Sequence, residues 1–491
     1  MLLPLAPNTQ AKKPDAWVEL RSPHFIVVTN AGEKAARHTA IQFEQIRALF
    51  LAVLANGQPQ STRTIAVLAL KNEASLRSLI PRYWKGYHAR PAGIFSHRMG
   101  QFYIALDLSA PGTNPNSTIY HEYFHALSTR YLPNLPAWLA EGLADFYGET
   151  QISARGATIG LPDEASMAEL TRATPLPLEM LFQIDHASPY YNLRGKAFLF
   201  HAESWAVADY LMIADDGAHR RSLFGYISDL KSGMNSLDAA QAEFGNLAKL
   251  QTQILEYMRR RSHDHLRAAS LAPFADSDLS AQAISEANAN IYRGGFLAVQ
   301  GQPDRAIPLL EHATADNPNS ALAAHNLALA LFLAGRREKA TAVATRAIAM
   351  NSHDAITRYI RAYCSFHGTM LQSNPEMEGD LRAAIAAAPD FAPPYAFLAA
   401  YLAAQGTQLD DAYAYARTAV SLDPRNSMYE LALAKVLGRL GRYDESHTAA
   451  VCARTFAFDT SDRHAADSFL AFLERRAAHS HATELTSTSE P

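Results

Sequence analysis

The sequence predicts an α+β domain followed by an all-α solenoid. Three observations predict it. Short apolar runs rich in β-branched or aromatic residues occur before residue 110, and a mainly helical pattern replaces them from residue 116. After Ser262 alanine rises sharply and a repeat near 34 residues begins. At 491 residues the chain is too long for one ordinary domain. Its hydrophobic content of 48% suits a globular protein with a large core, and a formal charge of −4 implies no basic surface for nucleic acid. Cys364 and Cys452 are the only cysteines, which excludes a disulfide framework and a cysteine-rich metal site. No apolar run reaches the ~20 residues that span a bilayer, so no integral membrane segment is expected.

The elements follow in order. Residues 1–15 read as a flexible tail or as the remnant of a signal peptide, which leaves cytoplasm and periplasm both open. Residues 16–262 form the first domain. Its 16–115 part is mixed α/β, with strands over "HFIVVT" (24–29), "TIAVLAL" (64–70) and "QFYIALDL" (101–108). Between the first two, Ala40, Phe43, Ile46, Phe50 and Val53 recur at helical spacing. The 116–262 part is mainly helical and punctuated by prolines. Residues 82–100 are basic and glycine-punctuated, and read as a loop over a cleft or an ordinary solvated loop. Residues 263–284 read as a linker. From 285 to 478, Gly301 matches Gly335, Ala306 matches Ala340, and Ala313 matches Ala347; Pro318 closes one unit. Ala399, Ala412, Ala419 and Pro424 mark a looser unit, and Ala434, Gly441 and Ala453 another. Residues 462–476 read as a capping helix, and the polar 479–491 as a disordered tail.

The chemistry is concentrated in "PNSTIYHEYFHALSTRYLP". Asn116, Ser117 or Thr118 can cap a helix there and Pro133 can stop it. His121 and His125 are four apart and share a face, with Glu122 offset by about a quarter turn. Two neutral imidazoles suit zinc, and the offset carboxylate can reach a water on the metal without ligating it. A chance H-E-x-x-H in a chain of this composition is on the order of a few per cent, so the pattern alone is moderately specific. The adjoining "LPAWLAEGLADFYGE" reads as a second helix, with Pro136 in its first turn and Gly148 at its end. Trp138, Leu139, Leu143 and Phe146 form its apolar side. Glu141 and Asp145 share a face: Glu141 can complete a three-ligand zinc site, and Asp145 can accept the other ring N–H of a ligand histidine. Gly142 removes bulk beside Glu141, which would let the two helices approach closely.

"HEYFH" followed by "WLAEGLADFY" resembles the gluzincin branch of zinc metallopeptidases, peptidase MA-like proteins related to thermolysin and aminopeptidase N. The resemblance covers roughly residues 16–262, with "WVELRSPHFIVVTN" and "QFYIALDL" also similar. It implies a zincin-like fold, Zn2+ held by His121, His125 and Glu141, and Glu122 as general base. The strand 101–108 would border the cleft and pair with an extended substrate. The spacing from His125 to Glu141 is shorter than in aminopeptidase N, so the intervening turn must differ. Relatives use a downstream tyrosine or histidine to stabilise the oxyanion. His201 is the candidate here, with Tyr190, Tyr191 and Tyr147 as alternatives. Residues 82–100 carry no counterpart of the G-x-M-E-N stretch that holds a free amino terminus, which favours an endopeptidase. His24, His88, His97 and His186 read as surface or satisfied core residues.

The C-terminal units resemble the tetratricopeptide repeat. That implies a surface for a peptide or protein partner, used to recruit substrate, to dock the enzyme, or only to pack against the first domain. The expected function is a zinc-dependent peptidase with a binding array. The competing expectation is a catalytically inactive scaffold, and a third is a hydrolase of non-peptide amides.

Overall fold

The computed structural model describes residues 16–487 except 55–63, 86–90, 111–115, 133–134, 154–155, 186–187, 261–263, 269–275, 351–352, 367–371, 424–425 and 458–459. The N-terminal tail, Pro133, Pro424, His88 and His186 therefore lie outside the described residues.

Nine strands are described: β1 (Trp17–Arg21), β2 (Phe25–Thr29), β3 (Ile65–Leu70), β4 (Gly93–Arg98), β5 (Gln101–Asp107), β6 (Gln151–Ser153), β7 (Gly156–Ile159), β8 (Leu266–Ala268) and β9 (Ser280–Ile284). Six form a mixed sheet in the order β4-β5-β3-β2-β1-β9, and β6-β7-β8 form a smaller one. The sequence expectation held three strands of the main sheet. It missed β1, β4 and β9.

The central strands are buried on both faces, as parallel pairing between helical layers requires. Side chains alternate along a strand. Phe25, Val27, Val67, Ala69, Ile104 and Leu106 face one core, while Val28, Leu68, Leu70, Tyr103 and Ala105 face the other. The first face is covered by α1 (Glu33–Leu54), whose Ala40, Phe43, Ile46 and Phe50 are buried at helical spacing. After the short α2 (Glu73–Leu79) come α3 (Ser117–Tyr131), α4 (Ala137–Gly148), α5 (Glu164–Arg172), α6 (Leu178–Leu181), α7 (Pro189–Asn192), α8 (Arg194–Gly217), α9 (Arg220–Lys231), α10 (Ser236–Phe244) and α11 (Leu247–Met258). The last turn of α8 is broken, with Ala214 extended and Asp215 and Asp216 at positive φ.

Eleven further helices follow: α12 (Glu286–Val299), α13 (Pro303–Asp316), α14 (Ala321–Leu333), α15 (Arg337–Ala349), α16 (Ala355–Ser365), α17 (Pro375–Ala387), α18 (Ala392–Gln405), α19 (Leu409–Leu422), α20 (Ser427–Arg439), α21 (Tyr443–Thr455) and α22 (Thr460–Ser487). Ala306, Ala340, Ala313, Ala412, Ala419, Ala434 and Ala453 are fully buried, because neighbouring helices cross there with no room for a longer side chain. Gly301, Gly335, Gly406 and Gly441 each turn the chain between paired helices at a φ of 70–78°, where a Cβ would be strained.

The repeats do not hang from a linker. Within the 263–284 segment, β8 pairs with β7, and β9 pairs antiparallel with β1, with Trp17 opposite Ile284 and Arg21 opposite Ser280. The composition Ser-Ala-Gln-Ala-Ile carries little intrinsic strand signal, so pairing decides its conformation. α12–α14 then cover the second face of the sheet: Tyr292, Phe296, Leu297, Leu310 and Leu327 share a core with Val28, Leu68 and Tyr103. At the other end α22 runs to Ser487, through most of the segment expected to be disordered. No helix among the described residues is long and apolar enough to cross a membrane.

Candidate metal centre

α3 and α4 form the centre. Ser117 at the start of α3 lies against Gly148 at the end of α4, so the two helices run antiparallel. His121 Nε2 and His125 Nε2 are 3.0 Å apart, and Glu141 Oε2 lies 3.4 Å from the first and 3.3 Å from the second. Ligands about 2.0–2.1 Å from a tetrahedral ion are separated by about 3.3–3.4 Å. The three donors therefore fit one small divalent cation, and they are the one such group among the described residues.

A supporting layer surrounds them. Asp145 Oδ1 lies 2.8 Å from His121 Nδ1 and so can fix the ring with Nε2 toward Glu141. Its other oxygen lies 3.1 Å from His201 Nδ1. Tyr191 donates its hydroxyl to Glu141 Oε1 at 2.7 Å. The site thus draws on α3, α4, α7 and α8.

Charge follows from these contacts. Burial would raise Glu141, but the surrounding His125, His121 and His201 outweigh it and hold the carboxyl well below its ordinary range. Asp145 is likewise opposed by burial, yet His121 and His201 bring it down to about 2. Glu122 goes the other way. Burial raises it, and His121 and His125 offset this only in part. It is 6% exposed, lines the cleft, and accepts a bond from the Phe95 backbone N–H. A carboxylate shifted toward neutrality is a better proton acceptor than an ordinary one.

The oxyanion candidates separate by position. His201 and Tyr191 line the cleft. Tyr147 does not: it is 1% exposed and packed between Phe50, Phe146 and Phe124, with ring centroids 4.8, 5.0 and 5.5 Å away. Tyr190 is also absent from the lining and sits under the Lys196 ammonium at 4.6 Å. Gly142 faces α8 rather than α3; a Cβ there would meet the Ser204 carbonyl carbon at 2.7 Å and Ala208 Cβ at 3.2 Å.

Two cleft features escaped the sequence reading. Residues 93–98, read as loop, form β4, closed onto β5 by a two-residue turn in which Met99 and Gly100 both have positive φ. β4, not β5, is the sheet edge beside the cleft, and Gly93, Ile94, Phe95 and His97 line it. Gly93 is required there: a Cβ would meet Thr118 Cγ2 at 2.6 Å and Glu122 Cγ at 2.9 Å. His97 stacks against Phe95 at 5.5 Å, whereas His24 is paired with Glu44 at 2.8 Å.

The tetratricopeptide repeat family matches residues 297–362. The C-terminal region carries tetratricopeptide repeats. Among solved structures the chain is similar to MamA, at 18% identity over 35% of this chain and 91% of that one, with a TM-score of 0.29. It is also similar to YrrB, described as a repeat protein with an unusual peptide-binding site, at 14% identity over 37% and 92%, TM-score 0.30. A third is a thermophilic repeat protein of Thermus thermophilus, at 21% identity over 38% and 99%, TM-score 0.30. No curated protein matches the chain. Repeats of this kind suggest protein or peptide partners.

Proposed function

We propose that the protein is a zinc-dependent peptidase of the gluzincin type, joined to a repeat array that binds protein or peptide. The convergence of His121 Nε2, His125 Nε2 and Glu141 Oε2 within 3.4 Å carries the reading. A zinc ion bound by these three residues would supply Lewis-acid polarisation of the scissile carbonyl and acidify a water. Glu122 takes the attacking water's proton and passes it to the leaving amine. Asp145 holds His121 in its ring orientation, and Tyr191 does the same for the Glu141 carboxylate. His201, held through Nδ1 by Asp145, is the donor nearest in role to an oxyanion stabiliser. The edge strand β4 offers backbone groups to an extended chain, which suits an endopeptidase.

The test combines metal analysis with digestion of a peptide library. One zinc per chain is expected, lost in His121→Ala. Cleavage should stop with chelator and in Glu122→Gln, the latter keeping its zinc. A second reading, an inactive zincin-like protein that scaffolds partners through its repeats, is favoured by the family match falling wholly within the repeats. Partner binding unaffected by chelator, together with a library left intact by zinc-loaded protein, would select it.

A further inference from the structure

The metal centre opens into a cleft of ≈ 1640 Å³. Small-molecule sites are usually about 300–1,000 Å³, so this one has room for a stretch of polypeptide. One of its walls is remote in sequence. Leu422 and Asp423, at the end of α19 in the repeats, line the same cavity as His121 and Glu122. The repeat array packs on the far face of the sheet through α12–α14, and the end of α19 lines the cleft.

The lining is also one-sided in charge. Beyond the carboxylates of the metal centre it includes Glu149 after α4, Asp163 at the start of α5, Asp185 after α6, Asp238 in α10 and Asp423. Five acids from five elements are not a local accident of one helix face. Among the described lining residues there is no lysine or arginine. Burial, with Asp163 and Asp145 adding to it, pushes Glu149 up to about 7.

We propose that the cleft takes an extended peptide segment rich in lysine or arginine, and that Asp423 of the repeats is one of the carboxylates that receive it. This rests on the peptidase reading and names its substrate class. The repeats then act as a selectivity wall of the site, besides any surface they present elsewhere. An extended chain can lie along the edge strand β4 with cationic side chains directed to the acidic walls.

The experiment measures binding, so that it does not depend on turnover. Full-length protein carrying Glu122→Gln is titrated into two labelled peptides, one with several lysines and one with each lysine replaced by glutamate. The lysine peptide should bind more tightly, with a preference that shrinks as salt is raised. Asp423→Lys should weaken the lysine peptide by about tenfold and the glutamate peptide not at all. Asp238→Lys, on a different element, repeats the test should Asp423→Lys fail to fold. Equal affinity for the two peptides, binding of neither, or a preference unchanged in both charge-reversal variants would overturn the proposal. Zinc content is measured on the same preparations. Its absence would sink the peptidase reading while leaving a charge preference, if found, intact.

Discussion

The placement of Gly142 makes a prediction whose sign separates two effects. Replacing a helical glycine by alanine ordinarily stabilises by about 0.8–1.0 kcal/mol through backbone entropy and propensity. Gly142 is buried in α4, and its added methyl would stand 2.7 Å from the Ser204 carbonyl carbon and 3.2 Å from Ala208 Cβ on α8. Ordinary carbon contacts are about 3.5–4.0 Å, so α4 must move from α8 by roughly 1 Å. The obstacle is backbone rather than a flexible side chain, and overpacking of this kind costs about 1–3 kcal/mol. The steric term therefore wins, and Gly142→Ala should be net destabilising. The displacement matters more to the candidate metal site than to the whole chain. α4 carries Glu141 and Asp145, and α8 carries His201. Loss of alignment at supporting contacts typically costs about 10–100-fold in metal affinity. The assay is competitive zinc titration of the purified variant beside a thermal melt. A variant that melts at or above the wild-type temperature and binds zinc equally would refute the reasoning.

Four further outcomes are expected. Tyr191→Phe removes the bond to Glu141 Oε1 and should lower zinc affinity by about tenfold, read by the same titration. His201→Phe should keep its zinc and its KM while kcat falls about 10²–10³-fold; a change confined to KM would remove His201 from the oxyanion role. Glu203 is buried, its Oε1 accepts from the Leu176 N–H at 2.7 Å, and burial pushes its pKa up to about 8. The folded state thus holds a proton that the unfolded chain releases near 4.5, so stability should fall as pH rises from about 5 to 8, by up to about 1.4 kcal/mol per unit. Glu203→Gln should flatten that decline in denaturant titrations run across the window. Removing residues 279–491 strips β9 and α12–α14 from the sheet and bares Val28, Leu68, Leu70 and Tyr103. The remaining fragment should aggregate or bind a hydrophobic dye, and a soluble fragment with a cooperative melt would contradict a shared core.

What could be read from the sequence was what helical geometry encodes locally. His121 with His125, and Glu141 with Asp145, are four apart on their helices, and that spacing alone puts each pair on one face. The same arithmetic disposes of Tyr147, which is six positions beyond Glu141 and so about 240° round the helix, pointing into the aromatic core. Gly142, one position past Glu141, is turned by about 100° and meets a different neighbour from the one expected. Long-range pairing was not legible. β4 is short, basic and glycine-led, and becomes a strand because β5 lies beside it across a tight turn. β9 has the composition of a linker and becomes a strand because β1 has a free edge. The position of Asp423 in the cleft depends on the accumulated curvature of several repeats, which no local pattern records.

The shared core changes what the repeats can do. An array joined by a flexible tether reaches its partner site at an effective concentration set by the tether and cannot hold one residue at a fixed place in a distant cleft. Here β9 is bonded into the sheet, and α12 follows it immediately after Ser285. Gly295 of α12 approaches so closely that a Cβ would meet Asn326 Nδ2 at 2.8 Å and clash with the Tyr103 hydroxyl of β5. His325 adds a buried polar tie: its Nδ1 lies 2.7 Å from Thr357 Oγ1 on α16, and its Nε2 lies 3.1 Å from the Gln101 side chain on β5. The same sheet carries β4 at its other edge beside Glu122. The sheet, the helices that carry His121, His125 and Glu141, and the first repeats are therefore parts of one packed body. The place of Leu422 and Asp423 in the cleft lining is therefore set by the packing of the repeats on the sheet rather than by a tether.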